Sequence, residues 1–137
     1  MKILHALRTA GLAASIALLS HPSYAFDLSG AWTTDVSACA KIFEKDKENE
    51  LSLAGGSGIY GDAFIVSKNS ISGVGGTCTI KTRKDAGQVH HIVATCAPGN
   101  VALSTFQFSY SVKDNNNIVR IFPGIEELDV AYGRCTL

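Results

Sequence analysis

Four cysteines, Cys39, Cys78, Cys96 and Cys135, constrain this chain more than any other feature. Their spacings of 39, 18 and 39 residues contain no Cys-x-x-Cys pair, which argues against a zinc ribbon and a thioredoxin-type redox motif. An even number of cysteines without such a motif predicts two structural disulfides, formed in an oxidising compartment. Three pairings are open. Cys78–Cys96 with Cys39–Cys135 is favoured, because the first pair flanks a predicted hairpin and the second joins the two ends of the chain.

The N-terminus agrees with that compartment. Lys2 and Arg8 form a charged leader, Ala10 to Leu19 (AGLAASIALL) is an apolar run, and Ser23-Tyr24-Ala25 is a small-x-small cleavage site. Residues 1–25 therefore read as a cleaved signal peptide; the apolar run is far short of the roughly 20 residues of a membrane span. The full chain balances 12 basic against 12 acidic residues, but removing the signal leaves 112 residues at a formal charge of −2. No cysteine follows the cleavage site to carry a lipid. The expected product, 26–137, is one small domain in the periplasm or outside the cell, not membrane-spanning after cleavage. A hydrophobic fraction of 46% excludes a disordered chain, and the charge balance argues against nucleic acid as a partner.

Period-two alternation dominates the mature part. Strands are predicted at Leu28 to Thr34, Ala63 to Lys68, Ser70 to Val74, Thr77 to Lys84, Gln88 to Ala97, Val101 to Lys113, Ile118 to Phe122 and Glu127 to Cys135. Turn signals separate them, among them Gly75-Gly76, Asp85-Ala86-Gly87, Pro98-Gly99-Asn100 and Asp114-Asn115-Asn116-Asn117. One helix is predicted from Val36 to about Asp46, capped by Asp35, with Val36, Cys39, Ala40 and Phe43 on its inner face. Glu44 to Glu50 then reads as its solvated end, and Leu51 to Gly61 as a glycine-rich connection with at most a short strand. Phe106, Phe108, Tyr110 and Val112 are expected on a buried face, opposite Gln107, Ser109 and Ser111. Cys78 and Ile80 should oppose Thr79, Lys81 and Arg83, while Leu128, Val130 and Tyr132 oppose Asp129 and Gly133. About eight short strands and one helix predict a mainly β fold, an antiparallel meander. Closure into a small barrel, which removes exposed edges, is preferred to a sandwich.

Ser29-Gly30-Ala31-Trp32 near the start and Tyr132-Gly133-Arg134-Cys135 near the end resemble the lipocalin-like (calycin) superfamily of small β-barrels. The resemblance rests on Gly30-Ala31-Trp32 and Arg134, and covers only the two ends of the domain. It implies that Gly30 and Trp32 close one end of a barrel, with Arg134 packed across the indole; Arg120 is a second candidate for that place. The chain departs from true lipocalins in its length and in lacking a Thr-Asp-x-x-Tyr segment, so a smaller interior is implied. The export signal, Gly-x-Trp, early helix and four cysteines also look like small bacterial exported proteins of no assigned role.

Little in the sequence points to catalysis. His90 and His91 are adjacent and face opposite sides of a strand, so they do not chelate one ion together. No Gly-x-Ser-x-Gly elbow accompanies them. Asp35, Asp62, Asp85 and Asp114 stand where caps and turns are predicted. Gly55-Gly56-Ser57-Gly58 lacks the Gly-Lys-Ser/Thr ending of a phosphate loop. Lys81, Arg83 and Lys84 read as a solvated edge. A protein with no cofactor and no metal site, and not an enzyme, is therefore expected. Three roles follow. It binds a protein or envelope component; it carries a small apolar ligand among Phe64, Phe106, Phe108 and Phe122; or it inhibits a protease, as small disulfide-bonded barrels with Ser-Gly-x-Trp do, although only Phe26-Asp27-Leu28 precede Ser29 as an arm.

Overall fold

A computed structural model describes residues 25–97 and 103–137. The signal segment up to residue 24, the Pro98-Gly99-Asn100 turn and the predicted strand start at Val101 lie outside the described residues. Among the described residues there are ten strands: β1 (Gly30–Thr33), β2 (Phe43–Lys45), β3 (Leu51–Leu53), β4 (Ala63–Val66), β5 (Ser70–Gly73), β6 (Gly76–Ala86), β7 (Val89–Cys96), β8 (Ser104–Asp114), β9 (Asn117–Arg120) and β10 (Val130–Cys135). Eight of them close an antiparallel barrel in the order β1-β10-β9-β8-β7-β6-β5-β4, and β2 and β3 form a separate hairpin. The fold is thus the mainly β, disulfide-bonded meander barrel expected from the alternation, and not a sandwich. Both favoured disulfides are formed: Cys39 to Cys135, and Cys78 to Cys96 between directly paired residues of β6 and β7. Disulfides of this kind belong to an oxidising environment. Among the described residues no helix is long and apolar enough to cross a membrane.

Alternation fills the barrel with Trp32, Phe64, Val66, Ile71, Ile92, Ala94, Tyr110, Ile118 and Tyr132. A second core lies outside the wall. Ala31, Ala63, Ile65 and Cys135 point outward from β1, β4 and β10 and are covered by Ala38, Ile42 and Phe43. This outer layer corrects the predicted helix. Val36–Ala38 is a 3-10 turn and Cys39–Ile42 a single α turn, α1, after which the chain extends into β2. Val36 and Ala40, expected inside, are exposed, while Ala38, Ile42 and Phe43 are buried. The cause is the wall itself: the β2–β3 hairpin pairs Phe43 with Leu53, which lays both over the outward apolar residues. Glu44 to Glu50 is consequently strand and hairpin turn, where the Asp46 carboxylate accepts from the amides of Glu48 and Glu50. Asp35 does cap, accepting from the Ser37 amide and hydroxyl; the hydroxyl bond, then the amide bond, hold its carboxyl below the usual range.

The expected faces and exposures also change in places. A register shift between Ile80 and Thr82 turns Arg83 to the side of Ile92 and Asp85 to the side of His90, so Arg83 changes face while staying exposed. There it donates to the carbonyls of Ser67 and Lys68, instead of guarding an edge that the closed barrel does not have. Phe106 is 46% exposed, because β8 extends past the point where β9 pairs with it. Leu128 is exposed in a 3-10 turn that precedes β10.

Gly133 marks where the outer layer meets the wall. A β-carbon there would collide with Cγ1 of Val36. Gly133→Ala is expected to cost about 1–3 kcal/mol by overpacking. Combining it with Val36→Ala should restore most of the loss, because the added methyl then has room. Urea denaturation of both single variants and the double variant measures this coupling, and additive losses would refute the contact as the cause.

Candidate functional site

The two barrel ends differ in how they are filled. One end is closed by the segment that leads into β1. Trp32 is fully buried and its indole N–H donates to the Leu28 carbonyl at 2.9 Å. Arg134, directly opposite Trp32 across the β1–β10 pair, lies with its guanidinium carbon 4.2 Å from the indole centroid. It donates to the carbonyls of Ser29, Asp27 and Asn115 at 2.6, 2.8 and 2.9 Å. Gly30 adopts φ +121°, and a β-carbon there would sit 3.2 Å from Arg134 Nη1. Phe26 completes the plug, 6.3 Å from the Trp32 ring and 5.5 Å from His90. The structure therefore brings Gly30, Trp32 and Arg134 together. Arg120, the other candidate for the Trp32 ring, is at the opposite end.

The two histidines part as adjacent strand residues must. His90 is buried beside Phe26, its Nδ1 2.6 Å from Asp85 Oδ1. His91 faces the other way, with Nδ1 2.8 Å from Ser109 Oγ, itself held by Gln107. Ser109, predicted on a wet face, is buried.

The second end opens into a cavity of about 310 Å³. It is lined by the Gly73 to Thr77 hairpin, the Cys78–Cys96 disulfide, Phe64, Ile71 and Phe108, and by four polar side chains, Asp62, Tyr110, Arg120 and Tyr132. Each polar group is placed by an element of the barrel. Asp62 immediately precedes β4, where its carbonyl accepts from the Thr34 amide at 3.0 Å. Tyr132, inward on β10, donates its hydroxyl to Asp62 Oδ2. Tyr110 and Arg120 are directly paired across β8 and β9. The Arg120 guanidinium carbon lies 5.1 Å from the Phe108 centroid and 4.8 Å from that of Phe122.

Burial raises the pKa of both tyrosines, and for Tyr132 the bond to the Asp62 carboxylate raises it further. Both phenols are therefore neutral at physiological pH, with hydroxyl protons to donate. Tyr110 differs in having no one to donate to. The residue is 1% exposed, and its hydroxyl makes no hydrogen bond among the described residues. Yet among the described residues no buried polar side-chain atom is sealed away without a partner. The Tyr110 hydroxyl consequently opens into the cavity. Such a group, in an aromatic-lined cleft, has a hydroxyl proton free to donate to whatever enters it.

Sequence reasoning places Phe64 and Phe108 at an apolar interior, and both line the cavity. Phe122 flanks it beneath Arg120, and Phe106 stands exposed near its rim. The polar members were missed. Asp62 looks like one turn aspartate among four, and Tyr110 and Tyr132 look like core by parity alone. The available signal was that two inward positions, on the strands either side of β9, end in hydroxyls. Among the described residues no group of three or more His, Cys, Asp or Glu side chains could hold a metal ion. In comparisons with known proteins, the chain matches no family model, no curated protein and no solved structure.

Proposed function

We propose that this protein is an exported, non-catalytic β-barrel that holds a small ligand with an apolar body in the cavity at its open end. One observation carries the reading: the buried Tyr110 hydroxyl faces a cavity of about 310 Å³ without a partner of its own. That volume is at the lower end of the roughly 300–1,000 Å³ of small-molecule sites. The signal-like residues 1–25, with cleavage after Ala25 and release to the periplasm or exterior, accord with the two disulfides. The Gly30, Trp32 and Arg134 arrangement supports a kinship with lipocalin-like barrels, in which one end is closed in the same manner.

Gly73 supplies the test. It lies on the inward parity of β5, lines the cavity, and a β-carbon there makes only an ordinary contact, 3.6 Å from the Ala63 carbonyl. Gly73→Leu should therefore fill the cavity with little cost to the fold. In an NMR titration with indole and phenol, shifts are expected at Ile71, Phe108, Tyr110 and Tyr132 in the natural protein, and should vanish in the variant. Absence of shifts at these residues in the natural protein would overturn the proposal.

A second reading, docking of a protein or envelope component, is favoured by the exposed Val74, Leu103, Phe106, Ile125 and Leu128. These residues lie on or near the connections at the open end. It is compatible with the first, because a partner seated there would cover the cavity.

A further inference from the structure

Two charges of opposite sign line the cavity without meeting. Among the described residues the one close contact between a carboxylate and a basic side chain is Asp85 with His90, at the other end of the barrel. Asp62 and Arg120 are not paired with each other or with any other charge. Asp62 uses Oδ2 to accept from Tyr132, and Oδ1 accepts no hydrogen bond among the described residues. Arg120 is held by the faces of Phe108 and Phe122, contacts that fix the guanidinium and consume none of its N–H donors. Tyr110 adds a hydroxyl without a protein partner, next to Arg120 on the neighbouring strand.

These groups discriminate between ligand classes. A simple anion would meet the Asp62 carboxylate in the same cleft, and a simple cation would meet Arg120. A wholly apolar molecule would displace water from Arg120 and leave both charges without a partner. A molecule that carries both charges on an apolar body neutralises each. Resting on the reading of the cavity as a ligand site, we infer that it takes a small apolar zwitterion, the class of free amino acids with aromatic or branched hydrocarbon side chains. The ammonium group pairs with Asp62 Oδ1. The carboxylate takes N–H donors from Arg120 and the hydroxyl proton of Tyr110. The side chain packs on Phe64, Ile71 and Phe108, whose surfaces already line the cleft.

Isothermal titration calorimetry of the oxidised protein tests this with four probes that share an aromatic body. They are L-phenylalanine, hydrocinnamate, which lacks the ammonium, phenethylamine, which lacks the carboxylate, and uncharged indole. L-phenylalanine should bind roughly ten- to a hundredfold more tightly than either singly charged probe, as expected for one charge-assisted hydrogen bond gained. Asp62→Asn keeps an acceptor for Tyr132 and should bring L-phenylalanine down to the level of hydrocinnamate. Arg120→Gln should bring it down to that of phenethylamine, and Arg120→Lys, which keeps the charge on the rings, should restore part of the loss. Hydrocinnamate or phenethylamine binding as tightly as L-phenylalanine overturns the inference, as does unchanged L-phenylalanine binding in folded Asp62→Asn. If indole binds and L-phenylalanine does not, the zwitterion falls while the cavity stands as a ligand site. If none of the four binds, both readings fall.

Discussion

Replacing Cys39 and Cys135 together by serine is expected to remove about 4.7 kcal/mol of stability, against about 3 kcal/mol for the Cys78 and Cys96 pair. The difference follows from the loops they close in the unfolded chain, with sequence separations of 96 and 18 residues. A domain of this size has roughly 5–15 kcal/mol in all, so the first variant should lose about a third of its stability or more. The position of the bond adds to the effect. Cys135 ends β10, and Cys39 begins α1, which covers the outer wall with Ile42. Loss of the bond therefore loosens a layer as well as a loop. Urea denaturation of the two double variants, read by circular dichroism, measures the ranking. A larger loss in the Cys78 and Cys96 variant would contradict it, and so would a melting transition unmoved by dithiothreitol in the natural protein.

Trp32→Ala should cost about 3–5 kcal/mol, the usual range for deleting a large buried aromatic side chain. Trp32 is fully buried, and three separate groups are built on it: the Leu28 carbonyl that accepts from its indole, the Arg134 guanidinium that covers its face, and Phe26. Trp32→Phe keeps an aromatic floor under Arg134 and loses the indole donor, so it should cost about 1 kcal/mol for the bond plus the smaller ring's cavity. Because the chain has a single tryptophan, far-ultraviolet circular dichroism is the suitable readout. Equal losses for the two variants would show that the ring face carries nothing.

The sequence was most legible where alternation acts alone. β7 shows it best: inward His90, Ile92, Ala94 and Cys96 are buried, and their neighbours are half-buried. The disulfide pairing followed from the hairpin between Cys78 and Cys96 and from the meeting of chain ends. Reading failed where a local pattern has two tertiary solutions. Val36, Cys39, Ala40 and Phe43 fit a helical face, but the wall presented by Ala31, Ala63 and Ile65 needed cover that one helical turn and a hairpin supply better. It failed again at the bulge beside Lys81, since one extra residue reverses the face of everything after it. The cavity was illegible for another reason. Its polar groups come from Asp62, Tyr110, Arg120 and Tyr132, far apart in the chain, and converge only once the barrel has closed.

The seams of β1 have a consequence for the order of assembly. From β4 to β10 every neighbour in the barrel is also the next strand in the chain, so those pairings grow from adjacent hairpins. β1 alone joins distant partners, β4 on one side and β10 on the other, with Trp32 opposite both Phe64 and Arg134. Contacts of such separation carry the entropy of long loops and come late. A chain that emerges N-terminus first therefore holds β1 unsealed until its last six-residue strand, Val130–Cys135, has been delivered. Cys78 meets Cys96 within one hairpin. Cys39 meets Cys135 only when the final seam is made, so that bond is a covalent record that the barrel was completed.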